Sequence, residues 1–285
     1  MTTPEFRSTM PVTAADGHRY ELIVHRPPQA VHGLMMVPAM GVAARHYEAL
    51  AHALVVRGIA CAIHEWRGNG SSDRRAGRRS DWGYHELLDL DLVASFDALM
   101  AAEPGIAWRL GGHSLGAQFA ALLAAHDARA HGIAIIAGGA PYWRSFPHVQ
   151  KLLLQGVFAF MNTLAAVNGR FPGRTTGFAG NEARGVIRDW TATGRSGHYR
   201  VRGLAHDYEA ALATCRLPVL ALRMADDRFV PRASLVHLLD KLPQARITRF
   251  ELGRTDFRGA RADHFAWMQR PAAVADRVSA WCHAT

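Results

Sequence analysis

The residues that could do chemistry appear first in the stretch Leu110-Gly111-Gly112-His113-Ser114-Leu115-Gly116. It reads Gly112-x-Ser114-x-Gly116, the pattern of a nucleophile elbow, in which a serine sits on a tight turn between a strand and a helix. Ala107 to Leu110 suits a short buried strand, and Ala117 to Ala130 suits a helix. A serine pinned between them has its hydroxyl pushed into the open. The flanking glycines leave room where a side chain would collide with the neighbouring strand and helix. The turn also places the amide of Leu115 at a helix start, where an N–H points outward and can bind an anion. An exposed hydroxyl and an oxyanion donor are the two needs of acyl transfer. The hydroxyl alone is too weakly acidic to attack a carbonyl. The chain must therefore supply a histidine as base and an acid to orient it. A glycine-rich loop with an incidental serine would come with neither.

The elements that must position these groups alternate between strand and helix. Tyr20 to His25 reads as an early strand stopped by Pro27-Pro28. Leu34 to Val37 is a continuous apolar run, as expected of a strand covered on both faces, and Pro38-Ala39-Met40-Gly41 ends it. Helical spacing follows from Arg45 to Val56, closed by Gly58, and Ile59 to His64 is the next strand. A glycine-rich turn over 65–72 precedes a helix from about Tyr84 to Met100. After the elbow comes a strand from His131 to Ala137. The alternation breaks at Pro141 and resumes with a strand from Leu217 to Met224, a helix from Pro231 to Leu242, a strand from Ala245 to Leu252 and a helix from Pro271 to Cys282. Repeated strand–helix units predict an α/β fold, a mostly parallel sheet with helices on both faces. The intervening segment is too long for an ordinary connection. The expected organisation is a core of residues 1–140 and 215–285 with an insertion over 141–214.

In open parallel sheets the working residues sit at the carboxyl ends of strands. The strand ending at Met224 is followed by Ala225-Asp226-Asp227-Arg228-Phe229-Val230-Pro231. Two adjacent carboxylates there can orient a histidine; either can also cap the helix that starts at Pro231. The strand ending at Leu252 is followed by a loop holding Asp263-His264-Phe265. Position selects His264 among 16 histidines, since His237 falls within a helix and His283 lies at the terminus.

The order Ser114, aspartate, His264 is that of the α/β-hydrolase triad. The chain resembles the α/β-hydrolase superfamily over almost its whole length. Glu65-Trp66-Arg67-Gly68-Asn69-Gly70-Ser71-Ser72 is similar to that superfamily's D-x-R-G-x-G-x-S turn after the fourth strand, with Glu65 in place of aspartate. Asp227-Arg228-Phe229-Val230-Pro231 resembles its acid-bearing D-x-x-V-P loop, which favours Asp227 over Asp226. Ala39-Met40-Gly41-Val42, with Phe171-Pro172-Gly173-Arg174 through Val186-Ile187-Arg188-Asp189-Trp190, is similar to a group of bacterial predicted hydrolases near the serine-aminopeptidase-like lipases and esterases. The usual His-Gly after the third strand is Pro38-Ala39, and the usual Gly-His at the catalytic histidine is Asp263-His264. The resemblance implies that 141–214 is a helical cap, that the Met40 amide joins that of Leu115 in holding the oxyanion, and that neither cofactor nor metal is needed. Leu152, Leu153, Leu154, Val157, Phe158, Phe160 and Met161 either roof the active site or pack the cap onto the core. Trp143, Phe146 and Trp190 either line an acyl pocket or fill a small core of their own.

Composition narrows the alternatives. The formal charge is +9, and Lys151 and Lys241 are the only lysines, so the excess is arginine. No nucleic-acid-binding signature accompanies it, and a nucleic-acid partner is not expected. The one cluster, Arg74-Arg75-Ala76-Gly77-Arg78-Arg79, is either a solvated loop or an attractor of anionic substrates. His85-Glu86-Leu87-Leu88-Asp89 only half matches a zinc motif. Cys61, Cys215 and Cys282 form no paired framework, residues 1–20 show no signal segment and no run is long enough to span a membrane, so a cytoplasmic protein is expected. The predicted activity is that of a serine hydrolase acting on a small-molecule carboxylic ester or thioester. A peptidase or amidase needs the same triad, and a non-catalytic binding protein could keep the same fold.

Overall fold

The apolar runs assemble into one eight-stranded sheet of order β1-β2-β4-β3-β5-β6-β7-β8 in a computed structural model that describes residues 7–177 and 180–285. The strands are β1 Arg7–Thr13, β2 Arg19–His25, β3 His32–Val37, β4 Ile59–Ile63, β5 Ala107–His113, β6 Ile133–Ile136, β7 Pro218–Met224 and β8 Arg246–Leu252. β1 and β2 form an antiparallel hairpin, β2 is antiparallel to β4, and every other pair is parallel. This is the α/β-hydrolase arrangement. β1 was not expected from the sequence. It is an edge strand with Pro11 inside it and mostly exposed side chains, so it carries little apolar signal.

Residues alternate across β3, and that alternation divides the core. Met35 and Val37 join Trp108, Leu110 and Phe119 on one face of the sheet. Leu34 and Met36 join Tyr47, Ile136 and Trp267 on the other. Helices α1 (Glu48–Val55), α2 (Val93–Ala102) and α3 (Leu115–His126) belong to the first half of the chain. The helix expected over 84–100 opens as a π-helix, His85–Leu92, before α2. That stretch carries Asp91 into the interior, where its carboxylate accepts from Arg67 at 2.7 and 2.9 Å and from His18 at 2.9 Å.

Between β6 and β7 lie α4 (His148–Asn168), α5 (Gly173–Thr176), α6 (Arg184–Ser196) and α7 (Tyr208–Thr214). After β7 come α8 (Arg232–Leu239) and α9 (Ala272–Ala284). α4 packs on α6 through Phe158, Met161 and Ala165, and the Phe158 ring meets Trp190 edge-on at 5.2 Å. A continuous apolar roof is not what forms. Leu152, Leu153 and Phe160 are 78%, 63% and 58% exposed. A single helix has one inward face, and Phe158, Met161 and Ala165 occupy it at helical spacing. Residues 1–6, part of the stretch read as lacking a signal segment, and 178–179, within the stretch from Phe171 to Trp190, lie outside the described residues. Among the described residues no helix is long and apolar enough to cross a membrane.

Candidate active site

α3 begins at Leu115, directly after Ser114, two residues earlier than its apolar spacing suggested. Ser114 itself has φ 56° and ψ −118°, a conformation rare for an L-residue. The turn is possible because nothing projects beside it. A Cβ at Gly112 would lie 2.2 Å from the Gly116 carbonyl carbon, and one at Gly116 would lie 2.2 Å from the Val37 carbonyl oxygen. The absence of a side chain at Gly116 also lets the end of β3 reach the first turn of α3. The loop carrying Met40 and the helix start carrying Leu115 thereby come together. Among the described residues neither the Met40 nor the Leu115 N–H donates a backbone hydrogen bond. Ala39, by contrast, donates to the Tyr47 hydroxyl at 2.8 Å.

The two carboxylates after β7 point in different directions. Asp227 is buried, and its Oδ2 accepts from Nδ1 of His264 at 2.8 Å. Its Oδ1 accepts the backbone N–H groups of Phe229 at 2.8 Å and Val230 at 3.0 Å. Asp226 instead accepts from Arg254 at 3.1 Å and from the Ala262 amide at 3.2 Å. Asp263, beside the histidine, accepts from the amides of Phe265 and Ala266. His264 packs on His113, the residue before Ser114, with ring centroids 4.7 Å apart. Asp227 and His264 are thus joined directly. Among the described residues the Ser114 hydroxyl makes no hydrogen bond to His264; the histidine meets the elbow through the His113 ring.

Four residues at this site escaped the sequence reading. Tyr47 donates its hydroxyl to Nδ1 of His113 at 2.8 Å while accepting from Ala39, so one buried phenol ties the Met40 loop to the elbow. Burial drives the Tyr47 hydroxyl far above its ordinary range, and it stays a donor. Burial, with His264 alongside, holds His113 well below the ordinary histidine range, so it stays neutral. Phe229 and Phe265 flank His264 at 5.2 and 4.7 Å and are 56% and 41% exposed. Their apolar rings at a strand-end loop were the available signal.

A protein-family model described as Serine aminopeptidase, S33, matches residues 28–252, from before β3 to the end of β8. The chain belongs to that family. This serine aminopeptidase-family protein is a hydrolase of the α/β-hydrolase superfamily. No curated protein sequence is significantly similar to it. Among solved structures, the esterase domain of a Rhodothermus marinus protein aligns with 16% identity and a TM-score of 0.61, covering 96% of this chain and 97% of its own. An α/β-hydrolase, GrgF, from Penicillium sp. sh18 aligns with 14% identity and a TM-score of 0.64, covering 98% of each chain. The thioesterase domain of the curacin biosynthetic pathway aligns with 15% identity and a TM-score of 0.58, covering 94% of this chain and 98% of its own. At such identities the likeness is one of fold.

Within this family member the other sequence candidates find structural partners. Arg75 donates to the Gly70 carbonyl at 3.0 Å and Arg78 to the Val167 carbonyl at 2.7 Å, so two of the clustered arginines hold backbone in place. His85 pairs with Asp89 at 2.9 Å, and Asp89 also accepts from Tyr208 at 2.5 Å. Glu65 accepts the Ala44 amide at 3.2 Å, and burial pushes its carboxyl up to about 7. The inserted segment reaches the Met40 loop itself. A Cβ at Gly180 would lie 2.4 Å from the Gly41 carbonyl oxygen.

Proposed function

We propose that this hydrolase cleaves a small-molecule carboxylic ester or thioester through an acyl-enzyme on Ser114. The observation that carries the reading is the elbow at Ser114 beside a histidine whose Nδ1 is held by Asp227 at 2.8 Å. In the proposed reaction His264 takes the Ser114 proton on Nε2 as the hydroxyl attacks the carbonyl carbon. Asp227 fixes the tautomer that leaves Nε2 free and stabilises the imidazolium. The amides of Met40 and Leu115 receive the oxyanion, each donor typically worth about 10²–10³ in rate. The imidazolium then protonates the leaving alkoxide or thiolate. Water, deprotonated by the same histidine, releases the acid. No metal or cofactor enters the sequence. The exposed rings of Phe229 and Phe265 beside His264 favour an apolar group at the mouth of the site.

The helices between β6 and β7 act as the cap in this proposal, and their contact at Gly180 with Gly41 supports that role. The test is fluorophosphonate labelling of wild type and Ser114→Ala, followed by p-nitrophenyl esters and acyl thioesters of graded chain length. Labelling confined to wild type, with ester or thioester turnover, is the expected result. Retained labelling in Ser114→Ala would falsify the nucleophile. Aminoacyl anilides form the third arm, because the family description names an aminopeptidase. Turnover of anilides without turnover of esters moves the assignment to amide cleavage.

A further inference from the structure

Away from the candidate active site, three side chains meet in the composition of a metal centre. We propose that His25, Glu48 and His52 bind a divalent transition-metal ion, zinc foremost, and that the ion fastens the β1–β2 hairpin to α1. The His25 ring is 0% exposed, yet among the described residues neither Nδ1 nor Nε2 has a hydrogen-bond partner. Buried polar atoms are normally satisfied, and an unsatisfied one calls for an explanation. Nε2 of His25 lies 3.5 Å from Oε2 of Glu48. Two ligands of a tetrahedral zinc with bonds of 2.0–2.1 Å stand about 3.4 Å apart. The His25 and His52 rings are 4.6 Å apart and inclined at 71°. One ligand atom from each of the three residues lies within 4.8 Å of the others.

The elements explain why these groups converge. Glu48 and His52 are four residues apart on α1 and so share a face. His25 ends β2, opposite Cys61 of β4. β2 runs against the parallel strands, so its end lies towards the edge of the sheet remote from Ser114. The ion is therefore structural. Two imidazoles and one carboxylate suit zinc, cobalt or nickel better than calcium or magnesium. Arg7 donates to Oε2 of Glu48 at 2.7 Å and towards Oε1 at 3.5 Å, and its side chain is 41% exposed. A metal on Oε2 leaves Arg7 the other oxygen. Arg7 is also a competing cation.

The experiment uses the full-length protein after treatment with a chelator, with cobalt and zinc as probes. One equivalent of Co²⁺ should give a visible d–d absorption that Zn²⁺ displaces, and Zn²⁺ should raise Tm by a few degrees through preferential binding to the folded state. His52 is exposed on α1, so His52→Ala preserves the fold while removing a ligand. That variant and Glu48→Gln should lose both signals, with affinity lowered roughly 100-fold or more. Arg7→Gln should bind more tightly than wild type. His126→Ala, which breaks the surface pair of His126 and His206, should bind as wild type does. Absence of both the absorption and the Tm rise in wild type overturns the proposal. So does undiminished binding by His52→Ala.

Discussion

Ser114 carries its strain in the backbone. A non-glycine residue held in such a region costs of order 1–3 kcal/mol, which the surrounding packing must offset. This separates conformation from chemistry. Ser114→Ala and Ser114→Gly should be equally inactive, with kcat down by on the order of 10⁴ or more. Ser114→Gly should nonetheless melt higher than Ser114→Ala, by about 1 kcal/mol of relieved strain, in a denaturation comparison. The two aspartates offer a second contrast. Only Asp227 reaches His264, so Asp227→Asn should cripple ester turnover by about 10⁴ through the wrong tautomer. Asp226→Asn should leave kcat within a few-fold, since that side chain is bonded to Arg254 and the Ala262 amide. If Asp226→Asn proves the crippled variant in steady-state assays, the assignment of the acid is wrong.

Among the elements, α4 and the segment after α5 make opposite demands. The outward face of α4 exposes Leu152 and Leu153, whereas Phe158 is fully buried against α6. Leu152→Ser should change stability by less than about 0.5 kcal/mol, and Phe158→Ala should cost about 3–5 kcal/mol, read by urea denaturation. Equal effects would mean that α4 is seated differently. Gly180 has no such latitude. Gly180→Ala drives a methyl into the Gly41 carbonyl, next to the proposed Met40 donor. It should lower kcat about tenfold or more with little change in KM, the pattern expected when an interaction made in the transition state is lost. A change in KM alone, measured on the same ester, would assign the contact to substrate binding instead.

For the molecule as a whole, buried charge sets the pH range of stability. The Glu65 carboxyl is raised to about 7 by burial, so the folded state favours its neutral form. Its contribution is fully present below its unfolded value near 4.5 and is lost as pH rises through about 7. Asp16 goes the other way. Arg67, donating at 2.6 and 3.0 Å, is the main reason its carboxyl is lowered to about 2. That stabilisation is present above 3.8 and disappears as pH falls through about 2. Tm of the wild type should therefore decline between about pH 5 and 8, and Glu65→Gln should make that decline shallower without altering acid unfolding, the remainder belonging to Glu182, whose carboxyl burial pushes up to about 8. A variant whose Tm profile parallels the wild type would show that Glu65 ionises freely in the folded state.

Much of this was already written in the one-dimensional chain. Continuous apolar runs located β3, β4 and β6 within a residue or two, because a strand covered on both faces has no polar positions to blur it. The spacing of Gly112, Ser114 and Gly116 specified the turn, since a strand-to-helix reversal that tight excludes side chains from both flanks. Order along the chain was enough to nominate His264 and one of two adjacent aspartates. The resemblance to the D-x-x-V-P loop favoured Asp227 over Asp226; where each carboxylate points belonged to the tertiary structure. Neighbouring residues leave the backbone in different directions, and only the fold decides which one faces the histidine. The same holds for Tyr47, whose link to Ala39 and His113 joins residues far apart in sequence. It holds for α4 as well. A helix with apolar residues on more than one side does not declare its inward face, and packing against α6 selected Phe158 and Met161 over Leu152 and Phe160. Local pattern thus set which elements form, and contacts between distant segments set which of their side chains meet, because direction in space is not a property of a residue's neighbours in the chain.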